Sequence, residues 1–82
     1  HGKPTASGVT YNMYDFTCAH RTFPFGTWLL VTFSGRQTIV QVNDRGPFVP
    51  GRVLDLSFGS AQSIGLDGVQ WTDFEILIPR GG

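Results

Sequence analysis

The sequence predicts an all-β domain with one short helix, and three observations carry that reading. Eleven Gly and five Pro punctuate a chain of 82 residues. Between them lie short runs of Val, Ile, Thr and aromatic residues, the composition of strands joined by tight turns. Only one segment, Ser60 to Ile64, carries both a helix start signal before it and a stop signal after it. The length allows a single domain, near the size at which folding buries only about 60% of the chain's extended surface. Residues 1–80 are read as that domain and Gly81-Gly82 as a loose tail.

The first seventeen residues hold two turn signals, Lys3-Pro4 and Ser7-Gly8, so they are expected to form loops packed on a barrel. Tyr11, Met13, Tyr14 and Phe16 are expected to add to its core. Trp28 to Phe33 and Gln37 to Asn43 flank Ser34-Gly35-Arg36 and form the clearest hairpin. After the Gly46-Pro47 break, Gly51 to Leu56 reads as a short strand. Ser57 follows it and can accept from the free amides of the next helix, with Gly65 closing that helix. Gln70 to Ile78 reads as a closing strand that sets Thr72, Phe74, Ile76 and Ile78 on one face, with Pro79 ending the pairing.

Six Lys plus Arg balance six Asp plus Glu, so no net field steers the chain towards nucleic acid or an anionic membrane surface. Cys18 stands alone, which rules out an internal disulfide and leaves the redox compartment open. No apolar run approaches the roughly 20 residues needed to span a bilayer, and no leader-like segment opens the chain. An exported form is therefore expected to have lost its targeting segment. No phosphate loop, dinucleotide fingerprint or zinc spacing is present, so no metal and no cofactor is expected.

Period-2 geometry places Val40, Val42 and Asp44 on one strand face and Ile39, Gln41 and Asn43 on the other. Asp44 thus ends an apolar row. A carboxyl at the mouth of a barrel is partly desolvated, a setting in which it can hold a proton to donate. The structural alternative is that Asp44 caps the turn Asp44-Arg45-Gly46-Pro47 by accepting from backbone amides. His20 is the other titratable candidate, since His1 lies at the start of the chain; its plain alternative is a histidine bonded to backbone. Cys18 and His20 share a face on an extended segment, but catalytic Cys and His pairs are normally distant in sequence. Asp55 is expected to bond Arg52 or nearby amides. Phe25 and Phe48, each beside Pro or Gly in a loop, are the aromatics best placed to stack on a sugar ring.

Three stretches then point to one family. Thr5-Ala6-Ser7-Gly8, Ala19 to Thr27 and Val42-Asn43-Asp44-Arg45-Gly46-Pro47-Phe48 resemble the signature segments of RlpA-like domains. Gly51 to Ser57 and Ala61 to Gly65 resemble the family's later strand and helix. The resemblance implies a six-stranded double-psi β-barrel with one short helix, here expected to lack its first strand, because such domains begin ahead of the position of His1. It implies a lytic transglycosylase acting on peptidoglycan glycan strands outside the cytoplasm, with Asp44 as catalytic acid and His20 beside it. Arg45, Phe25 and Phe48 are expected to bind the glycan.

The chain departs from the family pattern at Val9, where members usually carry Glu; Asn12 and Cys18 replace a usual Asp and Ala. Two rival readings stand beside the transglycosylase, and the loss of that Glu favours the first. One is a non-catalytic, expansin-like module that binds cell-wall glycan. The other is a two-carboxylate hydrolase pairing Asp44 with Asp55 or Asp15.

Overall fold

A computed structural model of the protein describes residues 1–77. Five strands and one helix follow the loops of the first sixteen residues. They are β1 (Thr17–His20), β2 (Trp28–Phe33), β3 (Arg36–Asp44), β4 (Leu54–Leu56), α1 (Phe58–Ser63) and β5 (Asp73–Leu77). They form one mixed sheet in the order β4-β1-β3-β2-β5, with β1 parallel to β3 and every other pairing antiparallel.

The hairpin forms where the turn chemistry placed it. Its loop is two residues rather than three, for Phe33 already pairs with Arg36. Ser34 and Gly35 both take positive φ, 52° and 77°, as the two-residue turn that matches strand twist requires. Along β3 the inward row is Thr38, Val40 and Val42, all buried, and it runs out to a half-buried Asp44. Cys18, Leu29, Val31, Val40, Val42 and Ile64 form the fully enclosed core, with Phe23, Phe33, Leu54, Leu56, Leu66 and Phe74 packed around it. Burial pushes the Cys18 thiol up to about 12, so it packs as a small apolar group.

The helix starts two residues ahead of its expected place. Ser57 caps it, accepting from the Ser60 amide, and Ile64 closes it with Gly65 following at φ 71°. The segment Met13–Phe16 lies against this end. The Gly59 amide donates to the Met13 carbonyl at 2.7 Å, and a Cβ on Gly59 would come within 2.6 Å of the Tyr14 carbonyl oxygen. Tyr14 and Phe16 are themselves exposed rather than core, because the loop offers its backbone to the helix and turns those rings outward. Tyr11 and Met13 are half-buried.

Two strands are shorter than the sequence suggests. The Arg52 amide donates to the Val49 carbonyl, so residues 49–52 are still turning and β4 begins only at Leu54. The last strand begins at Asp73 rather than Gln70; Ile78, Pro79 and the Gly81-Gly82 tail lie outside the described residues. Among the described residues the sheet has five strands, where the expected barrel has six. Its two outer strands, β4 and β5, bound a cavity of about 890 Å³ lined in part by Leu54, Leu56, Phe58, Val69, Trp71 and Phe74. Ile76 pairs with Leu29 and so faces the core side, yet it is nearly half exposed because it sits on an outer strand. No helix among the described residues is long and apolar enough to cross a membrane.

Candidate active site

The site forms where β1 and β3 end together. Their parallel pairing slips between Cys18 and Ala19, so that Ala19 comes opposite Asp44 and the next residue, His20, lies beside the end of β3. Asp44 is half-buried, neither sealed in the core nor fully in solvent. Its Oδ1 accepts two backbone amides, from Ala6 at 2.9 Å and from Arg45 at 2.8 Å. Among the described residues Oδ2 has no hydrogen-bond partner. The amide contacts are those of a turn-capping Asp, but they use one oxygen only and fix the direction of the other.

The Ala6 amide reaches Asp44 because residues 5–9 close on themselves. The Thr5 amide and hydroxyl both donate to the Val9 carbonyl, at 2.8 and 2.7 Å, and the Gly8 amide returns to the Thr5 carbonyl at 2.9 Å. The Thr5 hydroxyl also meets that of Ser7 at 2.8 Å. The Ser7 amide bonds the Asn43 carbonyl, which ties this turn to β3 directly ahead of Asp44. Val9 itself is 58% exposed and brings no carboxylate to the site.

His20 is buried at 7% exposure, with its ring stacked on Phe23 at 3.6 Å between centroids and set edge-on to Phe74. Its Nδ1 accepts from the amides of Thr22 and Phe23, at 3.1 and 3.0 Å. Burial, and then the cationic Arg45 and Arg21 nearby, pull its pKa below the ordinary histidine value. A neutral ring whose Nδ1 accepts must carry its proton on Nε2, so His20 is a fixed donor there. Among the described residues no hydrogen bond joins His20 to Asp44.

Arg45 leaves β3 and turns back over the other segment. Its Nη1 donates to the carbonyls of Phe23, at 2.9 Å, and His20, at 3.3 Å, and its guanidinium lies 3.9 Å over the Phe25 ring. Phe25 is 40% exposed and Phe48 77% exposed, so both present ring surface at this rim. Arg21, which the sequence did not single out, makes the opposite crossing. Its Nε donates to the Pro47 carbonyl at 2.6 Å and its Nη2 to the Val49 carbonyl at 3.1 Å. The sequence shows an arginine beside His20 but gives no sign of carbonyl partners 26 and 28 residues away.

Asp55 takes no part in this group. It pairs with Arg52 and lines the cavity between β4 and β5. Asp44 and Asp55 flank Ala19 on opposite sides, two strand spacings or about 10 Å apart along the sheet. Asp15 is exposed, and its backbone carbonyl accepts from the Ser57 hydroxyl.

The family model described as lytic transglycolase matches residues 1–73. The chain belongs to that family. A probable endolytic peptidoglycan transglycosylase RlpA of Aquifex aeolicus is 48% identical over 86 aligned residues, covering 100% of this chain and 37% of that protein. The corresponding protein of Synechocystis is 52% identical over 68 residues, 80% of this chain and 21% of its own length. The endolytic peptidoglycan transglycosylase RlpA of Pseudomonas aeruginosa is 43% identical over 86 residues, 87% of this chain and 25% of its own. The chain thus spans between about a fifth and somewhat over a third of these relatives' lengths, and it is an RlpA-like, all-β domain of the double-psi type.

Proposed function

We propose that this domain is a lytic transglycosylase of peptidoglycan glycan strands, acting outside the cytoplasm, with Asp44 as its acid and base. The observation that carries the reading is the asymmetry of the Asp44 carboxyl: two amides hold Oδ1, and Oδ2 has no partner among the described residues at a half-exposed rim. The names of the relatives supply the substrate class.

In the first step protonated Oδ2 gives its proton to the glycosidic oxygen, and the bond from that oxygen to C1 of N-acetylmuramic acid breaks with its electron pair going to the oxygen. The Asp44 carboxylate then takes the proton of the same sugar's C6 hydroxyl while that oxygen bonds to C1, leaving a 1,6-anhydro end. No water is consumed. The nucleophile belongs to the substrate, so one carboxyl serves in turn as acid and base where a hydrolase needs two. A site with valine at position 9 can run this scheme. His20 donates from Nε2 to a sugar oxygen and cannot act as a base while two amides occupy Nδ1. Phe25 and Phe48 stack on sugar rings, and the Arg45 donors not spent on carbonyls meet a polar or acidic substituent.

One observation favours a second reading. Val9 places an exposed apolar side chain where the family usually carries Glu, which suits an expansin-like module that holds glycan without cutting it. Peptide-free glycan strands incubated with the wild type and with Asp44→Asn decide between them. The catalytic reading expects anhydro-sugar ends by mass spectrometry from the wild type and a loss of roughly 10²–10⁴-fold in the variant. Equal product from both removes Asp44 from its role. Retention on insoluble peptidoglycan with no product from either establishes the binding module.

A further inference from the structure

The two arginines at the rim cross each other's segments. Arg45, one residue beyond β3, donates to carbonyls of the 20–23 segment, and Arg21, one residue beyond β1, donates to carbonyls of the 47–49 segment. The chain leaving His20 and the chain leaving Asp44 are thereby fastened to each other twice. Neither arginine has a carboxylate partner among the described residues, where the one ion pair is Arg52 with Asp55.

The two crossings hold different things. Arg45 braces the loop that carries Phe25 and the carbonyl of His20. Arg21 braces a turn that leads from buried Gly46 and Pro47 into exposed Phe48, Val49 and Pro50, after which the Arg52 amide donates to the Val49 carbonyl. The turn begins at Gly46, whose φ of 126° is open to glycine and strained for other residues. A Cβ there would meet the Phe48 ring at 3.6 Å, so that ring lies folded back over the residue that follows Arg45. Arg21 therefore fixes the carbonyls on either side of Phe48.

We propose that Arg21 is a positioning residue, a guanidinium brace that holds the Pro47–Val49 turn so that the exposed Phe48 ring stands as a fixed platform beside Asp44. The proposal rests on the glycan-cleaving reading of the Asp44 site for its kinetic consequence, and on geometry alone for its structural one. A fixed ring loses less conformational freedom when a sugar settles on it, so Arg21 acts on substrate binding before it acts on chemistry. The planar fork matters: its Nε and Nη2 reach two carbonyls two residues apart, which a single ammonium cannot match.

The test compares wild type, Arg21→Gln and Arg21→Lys. In hydrogen exchange, Arg21→Gln is expected to speed exchange of the Arg52 amide, which donates to the Val49 carbonyl, while leaving the amides of β2 and β3 unchanged. On peptide-free glycan strands the same variant is expected to raise KM by roughly tenfold with kcat little altered, and Arg21→Lys to recover only part of the loss. Unchanged exchange of the Arg52 amide overturns the brace whatever the activity proves to be. Faster exchange with KM unchanged, or with kcat falling alone, overturns the platform role. If the wild type releases no product, the catalytic reading fails separately; retention of Arg21→Gln on insoluble peptidoglycan then stands in for KM, with undiminished retention counting against the proposal.

Discussion

The rim where β1 and β3 end and the opening between β4 and β5 differ in how the chain is tied. At the rim where β1 and β3 finish, Asp44, His20, Arg21 and Arg45 are each bonded to backbone groups of another segment or of the adjoining turn. At the opening between β4 and β5 the strands have three and five residues, and one surface ion pair, Arg52 with Asp55, stands beside exposed Val53, Val69 and Trp71. The cavity of about 890 Å³ belongs to the second region, the directed polar groups to the first. Volume alone would place the site at the opening. Pre-organised hydrogen bonding favours the rim as the proposed site, because a reacting carboxyl must be held in direction as well as exposed.

If that contrast is real, side chains at the rim should carry more stability than polar ones at the opening. His20→Ala removes the ring stacked on Phe23 and strands the Thr22 and Phe23 amides, so it is expected to cost about 2–4 kcal/mol by urea unfolding. A cost below that of an ordinary surface change would break the comparison. The same residue sets a pH dependence. Its folded pKa is lowered, and as pH falls the unfolded chain takes up the proton first. His20 therefore contributes stability that is full above about 6.5, the ordinary histidine value, and lost as pH drops through its folded value. The urea midpoint of the wild type should fall over that interval more steeply than that of His20→Gln. Arg52→Ala gives the smallest effect, under about 1 kcal/mol, because its partner Asp55 is 39% exposed and water screens the pair.

Local chemistry made much of this legible in the sequence. The hairpin followed from Ser34-Gly35, the helix cap from Ser57, and the place of Asp44 from the alternation of Val40 and Val42. What stayed hidden depends on backbone groups distant in sequence. Nothing about Ala6 announces that its amide reaches Asp44, and nothing about Arg21 announces two carbonyls in the loop after β3. Tyr14 and Phe16 misled for a related reason: aromatic character suggests core, but the loop uses its carbonyls to receive α1 and leaves those rings outside. The strand expected from Gly51 lost its first residues to a turn closed by the Arg52 amide.

The central claim is that a single carboxyl, pinned by two amides, suffices at the rim because the substrate brings its own nucleophile. Cleavage of peptide-free glycan strands in water enriched in oxygen-18 tests it most directly. The account predicts 1,6-anhydro ends carrying none of the heavy isotope. New reducing ends carrying oxygen-18, absent from an enzyme-free control, would contradict it, since water would then be the nucleophile and Asp55 or Asp15 would have to supply the second carboxyl.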